Sequence, residues 1–180
     1  MNPNVFFKIT YGLYVIGSTN GSKLNGFISN TVFQVTSEPP QFAVAGHKNN
    51  YSTEIIREGK VFAISVLRQD YHPDIIGTFG YRSGKDIGKF ENFNYRTGKT
   101  GAPILLTDTI GWLECEVVNS FDLGTHILFI GNLVDGDILD DSSEPLTYNY
   151  YHEVKKGKAP KNSPTYIDSQ RLKAFPSKTS

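Results

Sequence analysis

Apolar positions along the chain recur with period two over short stretches, the spacing of half-buried strands. Phe33-Gln34-Val35-Thr36 alternates and halts at Pro39-Pro40, where a strand loses its donors. Leu113, Cys115 and Val117 alternate with Glu114 and Glu116, a strand with one wet face. Residues 11–18 are rich in β-formers and run into Thr19-Asn20-Gly21-Ser22, which predicts a hairpin returning from Leu24 towards Thr31. Further strands are expected over 41–46, 61–67 and 126–134. One helix is expected over 51–58, with polar Asn50, Ser52 and Thr53 at its start, Glu54 in its first turn and Gly59 at its end. A second, short one opens at Asp70 and Pro73 and runs through Thr78. Residues 80–101 form a Gly-rich polar loop of a length that often carries function. Asp135, Asp137, Asp140, Asp141 and Glu144 predict a solvated acidic turn. Six or seven strands with a few short helices and no internal repeat make the fold mainly β, an antiparallel barrel.

Composition narrows this picture. With 180 residues the chain forms one domain with a tail, and 38% hydrophobic residues suffice for a packed core. The single cysteine, Cys115, excludes an internal disulfide and a cysteine-held zinc or iron site. The net charge of zero hides an asymmetry: residues 155–180 hold seven Lys or Arg against one Asp, so the preceding residues carry the compensating negative charge. The basic residues are spaced by Gly, Pro and Ser, as in a solvated arm over 161–180, and the body over 1–160 lacks the basic stripe that nucleic acid requires. No apolar run approaches the roughly 20 residues of a membrane span, and no signal peptide is recognisable, so the expected compartment is the cytoplasm.

Two polar clusters stand where apolar residues are expected. His47-Lys48-Asn49-Asn50-Tyr51-Ser52-Thr53 joins an apolar strand to a helix start, gathering a cation, amides and hydroxyls where free N–H groups favour an anion such as phosphate. Ordinary helix capping also accounts for Asn50 or Ser52. Asn25-Gly26 and Ser29-Asn30-Thr31 read equally as a bulge or an exposed strand end. The four histidines are scattered and none is paired at metal-ligand spacing, so no metal is expected.

The run Asn25 to Pro40 resembles the flavin-site signature of the flavin reductase-like family, the FMN-binding split barrels that include flavoredoxins and ferric reductases. Four further pieces follow in the family's order: His47 to Thr53, Phe79-Gly80-Tyr81-Arg82-Ser83-Gly84 through Lys89-Phe90, Gly124-Thr125-His126 with Gly131, and Pro145-Leu146-Thr147-Tyr148 with Tyr150-Tyr151. Residues 150–166 resemble the junction that leads into a rubredoxin module in high-molecular-weight rubredoxins, without the iron-binding cysteines.

The resemblance implies a Greek-key split barrel, FMN as cofactor, and NADH or NADPH as electron donor. It places Ser29, Asn30, Thr31 and Val32 along the flavin ring and ribityl chain. Lys48, Asn49, Asn50, Tyr51 and Ser52 fall at the phosphate, and Ser83 and Lys89 approach from the Gly-rich loop. His126 falls near the nicotinamide as the one catalytic candidate, although Thr125 stands where the family usually carries Asp. A homodimer and an electron-transfer partner of rubredoxin type are also implied. The function expected is an NAD(P)H-dependent flavin or ferric reductase; the alternative is a flavoredoxin-type carrier that takes electrons from a protein and binds no nicotinamide.

Overall fold

The computed structural model describes residues 3–166. Its framework is a seven-stranded antiparallel sheet in the order β2-β1-β5-β8-β9-β4-β3. The strands are β1 (Tyr14–Thr19), β2 (Leu24–Ser29), β3 (Val32–Ser37), β4 (Pro40–His47), β5 (Val61–Leu67), β8 (Thr109–Asp122) and β9 (His126–Ile138). A two-stranded sheet pairs β6 (Tyr95–Thr97) with β7 (Pro103–Leu105).

The two edge strands of the main sheet, β2 and β3, are consecutive in the chain and separated only by Asn30 and Thr31. So short a link forces the sheet to curl until its edges approach, which is the geometry of a split barrel. The Ala45 amide donates to the Thr31 carbonyl at 3.3 Å, which carries the β3–β4 ladder one pair beyond Val32 into this link. Inside the curl, Ile16, Phe27, Val44, Ile56, Phe62 and Phe129 pack with Cys115. Burial, with Glu114 beside it, pushes the Cys115 thiol up to about 12, so it stays a neutral thiol. A second core of Leu13, Tyr71, Ile75, Phe79, Phe90 and Tyr151 lies under the helices.

Helix α1 (Tyr51–Gly59) matches the expected span but not the expected stop. Lys60 takes the left-handed conformation, with φ of 58°, while Gly59 is the last helical residue. A Cβ at Gly59 would collide with the Thr19 carbonyl, so this glycine serves close approach to β1 and not the turn. Similarly, Gly46 of β4 lies against the Thr53 side chain, and this contact sets the first turn of α1 on the sheet.

Other expectations need correction. The second helix splits into α2 (Pro73–Ile76) and a wider-wound turn over Gly77–Tyr81. The loop over 80–101 contains β6, whose partner β7 lies beyond its end. Asp135 and Asp137 belong to β9, which runs on to Ile138, so the acidic turn begins only afterwards. Helix α3 (Tyr148–Glu153), with Thr147 accepting from the Tyr150 amide at its start, had no expectation at all. Most of the basic arm expected over 161–180 lies outside the described residues.

Candidate functional site

A cavity of about 380 Å³ opens between the seam of the barrel, the start of α1, the turn after α2, and α3. Its size falls in the range of small-molecule and cofactor sites. Ser29 and Asn30 enter it from the end of β2, Asn49, Asn50, Tyr51 and Ser52 from the start of α1, and Ser83 and Lys89 from the Gly-rich loop. Three stretches of chain that are remote in sequence thus converge, because the two-residue link and the Gly46–Thr53 contact bring β2 and α1 to the same end of the sheet.

The start of α1 carries no side-chain cap. Asn50 occupies the cap position with extended backbone, but its Oδ1 accepts instead from Asn162 Nδ2 at 3.1 Å. The Tyr51 and Ser52 amides precede the intrahelical ladder, which opens with the Thr53 amide donating to the Asn50 carbonyl at 3.0 Å, and the positive end of the helix dipole faces the cavity wall. Ser52 is buried beside them.

Lys89 is the electrostatic centre of the site. Only 4% exposed, it donates a single hydrogen bond from Nζ to the Phe79 carbonyl at 3.3 Å. No carboxylate pairs with it among the described residues. Burial lowers its pKa to about 8, because taking an ammonium out of water penalises its charged form. An anion seated in the cavity would reverse that penalty.

Lys48, Thr31, Val32 and His126 are not brought into the lining. Lys48 turns away and pairs with Asp122 at 2.6 Å, and this bond, with the Gly124 amide, holds the Asp122 carboxyl below its usual range. Thr31 braces the seam, its amide donating to Ser29 Oγ at 3.2 Å and its hydroxyl to Asn30 Oδ1 at 3.2 Å. Val32 packs against the barrel interior. His126 stands opposite His47 across β9 and β4, the rings edge to face at 4.8 Å. Its Nε2 donates to the Asn162 carbonyl at 3.3 Å, which leaves Nδ1 to accept from the Thr125 hydroxyl at 2.9 Å. Thr125, which stands where the family usually carries Asp, thus orients the ring.

Sequence reasoning missed several lining residues. His47 lines the cavity, its Nδ1 accepting from the Asn49 amide at 3.1 Å, and burial followed by the neighbouring His126 lowers its pKa. Tyr148 and Tyr151 supply an aromatic wall from α3, and residues 158–164 cross the outer side. The run Pro145 to Tyr151 was a usable signal for the first; the second, Lys158 to Pro164, is rich in Lys and Pro and stood out only through the likeness of 150–166 to a rubredoxin junction.

Residues 6–156 match the family described as the flavin reductase like domain. The high molecular weight rubredoxin of Moorella thermoacetica is 42% identical over 166 residues, covering 92% of this chain and 72% of that protein. The ferric-chelate reductase (NAD(P)H) of Archaeoglobus fulgidus is 41% identical over 170 residues, covering 94% of this chain and 100% of that protein. Among solved structures, the NADH:FAD oxidoreductase SgcE6 of Streptomyces globisporus C-1027 superposes with a TM-score of 0.72 at 21% identity, covering 80% of this chain and 84% of its own. The FMN-binding protein of Thermus thermophilus superposes with a TM-score of 0.70 at 21% identity, over 77% and 78% of the two chains. These two share the fold.

Proposed function

This chain belongs to the flavin reductase-like family, and from that premise we propose that it is an NAD(P)H-dependent flavin or ferric reductase that works through FMN. The observation that carries the reading is the buried Lys89 ammonium, left without a counter-charge in the cavity that the uncapped start of α1 also faces. A monophosphate and a ring system that gains negative charge on reduction fit that donor set. When bound, FMN supplies the exchange of electrons between a nicotinamide and an acceptor.

The residues would divide the work of holding it. The first-turn amides of α1, with Asn49, Asn50 and Ser52, would take the phosphate. Ser29 and Asn30 at the seam would align the polar edge of the ring and the ribityl chain, and Ser83 and Lys89 would approach from the loop. Tyr148 and Tyr151 would keep water from the ring's surroundings. His126, fixed at both nitrogens, lies next to the cavity's outer wall and would orient a second ring and not exchange protons. Lys48, which the resemblance also implied at the phosphate, is paired with Asp122 in the ligand-free chain and would join the phosphate set only by leaving that exposed partner.

A homodimer fits the surface. Phe33 and Val35 on the edge strand β3, and Val118, Phe121 and Leu123 at the end of the β8–β9 hairpin, are exposed large apolar residues that a second copy would cover. No described helix is long and apolar enough to cross a membrane.

The deciding experiment is anaerobic. The FMN-loaded protein is mixed with NADH or NADPH and the flavin absorption is followed; prompt bleaching supports the reductase. The second reading, an electron carrier reduced by a protein donor, draws on the segment over 158–164 that covers the cavity. It predicts bleaching only with that donor. A protein that takes up no flavin from excess FMN defeats both.

A further inference from the structure

The family domain ends at residue 156, yet the outer wall of the cavity is made beyond it. Residues 158–164 all line the cavity, and together with Thr165 they are stitched to five separate parts of the fold. The Lys158 carbonyl accepts from the Tyr81 hydroxyl at 2.6 Å and the Tyr151 hydroxyl at 3.2 Å. Asn162 donates through Nδ2 to Asn50 Oδ1 at 3.1 Å, and its carbonyl accepts from His126 Nε2 at 3.3 Å. Thr165 Oγ1 accepts from Asn30 Nδ2 at 2.7 Å and shares hydrogen bonds with the Tyr148 hydroxyl at 2.8 Å and Ser163 Oγ at 3.0 Å.

The residues so engaged are the cavity's own polar groups. Asn30 is 4% exposed, and its amide is fixed between Thr165 on one side and the Thr31 hydroxyl on the other. Without the Thr165 hydroxyl, a buried amide donor and the Tyr148 hydroxyl both lose a partner. Pro160 and Pro164 narrow the conformations that the segment samples when it is undocked, which lowers the entropy cost of docking it.

We infer that residues 158–165 are a strap closed over the flavin, with Asn162 and Thr165 as positioning residues that set Asn50 and Asn30, so that the flavin is a resident group and not a diffusible product. The inference rests on the flavin reading proposed above. A ligand lodged behind the strap leaves only after these bonds open, so the strap slows dissociation more than association. Each hydrogen bond to a buried partner is on the order of a tenfold change in rate.

The test uses the full chain loaded with FMN and freed of excess, with release followed after dilution by the rise of flavin fluorescence. Thr165→Val is expected to release FMN about tenfold faster than wild type, and Thr165→Val with Asn162→Ala faster still. The visible circular dichroism of the bound flavin shifts in both, and Thr165→Ser restores rate and dichroism. The association rate stays at the wild-type value, while the flavin-free variants melt somewhat lower, since the Thr165 bonds are already made without a ligand. Should Thr165→Val fail to fold, Asn162→Ala alone gives the same reading through Asn50. Release at the wild-type rate with unchanged dichroism overturns the strap and leaves the flavin reading intact; a wild-type protein that binds no FMN overturns both.

Discussion

Among the described residues two charged side chains are buried, and their surroundings differ. Glu114 on β8 is fully buried, and its carboxylate accepts from the Lys99 amide at 2.9 Å and from the Thr100 amide and hydroxyl, each at 2.9 Å. Lys89 is nearly as buried but has one long bond to a carbonyl. The first charge is satisfied by a turn of its own chain and closes the surface over the Trp112 core. The second is a standing deficit at the wall of a cavity. A buried charge that the fold completes is structural, whereas one that the fold leaves incomplete awaits a ligand.

The largest expected effect comes from breaking the complete side of this contrast. Glu114→Ala strands three donors and should lower stability by about 3–5 kcal/mol, the scale for removing one partner of a buried charged cluster. Chemical denaturation of the flavin-free protein measures it, and a loss below about 1 kcal/mol would place Glu114 among ordinary polar residues.

Lys89→Met should do the reverse. With its pKa lowered from the ordinary 10.5 to about 8, charged Lys89 opposes folding, so the flavin-free variant should gain about 2–3 kcal/mol at pH 7. FMN affinity should fall by roughly a hundredfold, the worth of a lost charge-assisted bond in a dry site. Equilibrium unfolding and fluorescence titration give the two numbers. A variant that loses both stability and affinity would make Lys89 a packing residue.

The same pair is sharpened by pH. Because the folded pKa lies below the unfolded one, the Lys89 penalty is complete below about pH 8 and vanishes as pH rises to 10.5. The stability gap between Lys89→Met and wild type should therefore shrink across that window. Cys115 and the buried tyrosines Tyr71 and Tyr151, whose values are raised by burial, titrate alike in both proteins and drop out of the difference. A gap independent of pH would mean that Lys89 is solvated in solution.

The smallest effect is expected at Lys48. Its partner Asp122 is exposed and its side chain lies outside the cavity, so Lys48→Ala should change FMN affinity by less than about threefold. A loss of tenfold or more would return Lys48 to the phosphate site.

The sequence made some elements legible because their signals are local: Val61–Leu67, an apolar β-branched run buried on both faces, and the start of α1, with its polar flank, fall where those signals placed them. It failed where the deciding partner is remote. Helix-start chemistry made Lys48 readable as a phosphate candidate, but its ion pair could not be read, because Asp122 stands 74 residues away. Lys89 sits in a polar, Gly-rich run, and nothing local signals that it is buried with its ammonium on the Phe79 carbonyl. Helix α3 is written in Tyr, Asn and His with no apolar period, and its reason to form is packing of Tyr151 into the second core. The polar cluster at Ser29–Thr31, which pattern alone left as a bulge or a strand end, proves to be the seam itself.

That seam has a mechanical corollary. Asn30 rides on the two-residue joint between the barrel's margins, while α1 is anchored through Gly46 to β4, the neighbour of one margin. Any spreading of the margins widens the gap between the two, so the stiffness of the Phe62–Phe129 interior sets the calibre of the binding cleft. Softening that interior would loosen the grip on a guest well before the chain unfolds.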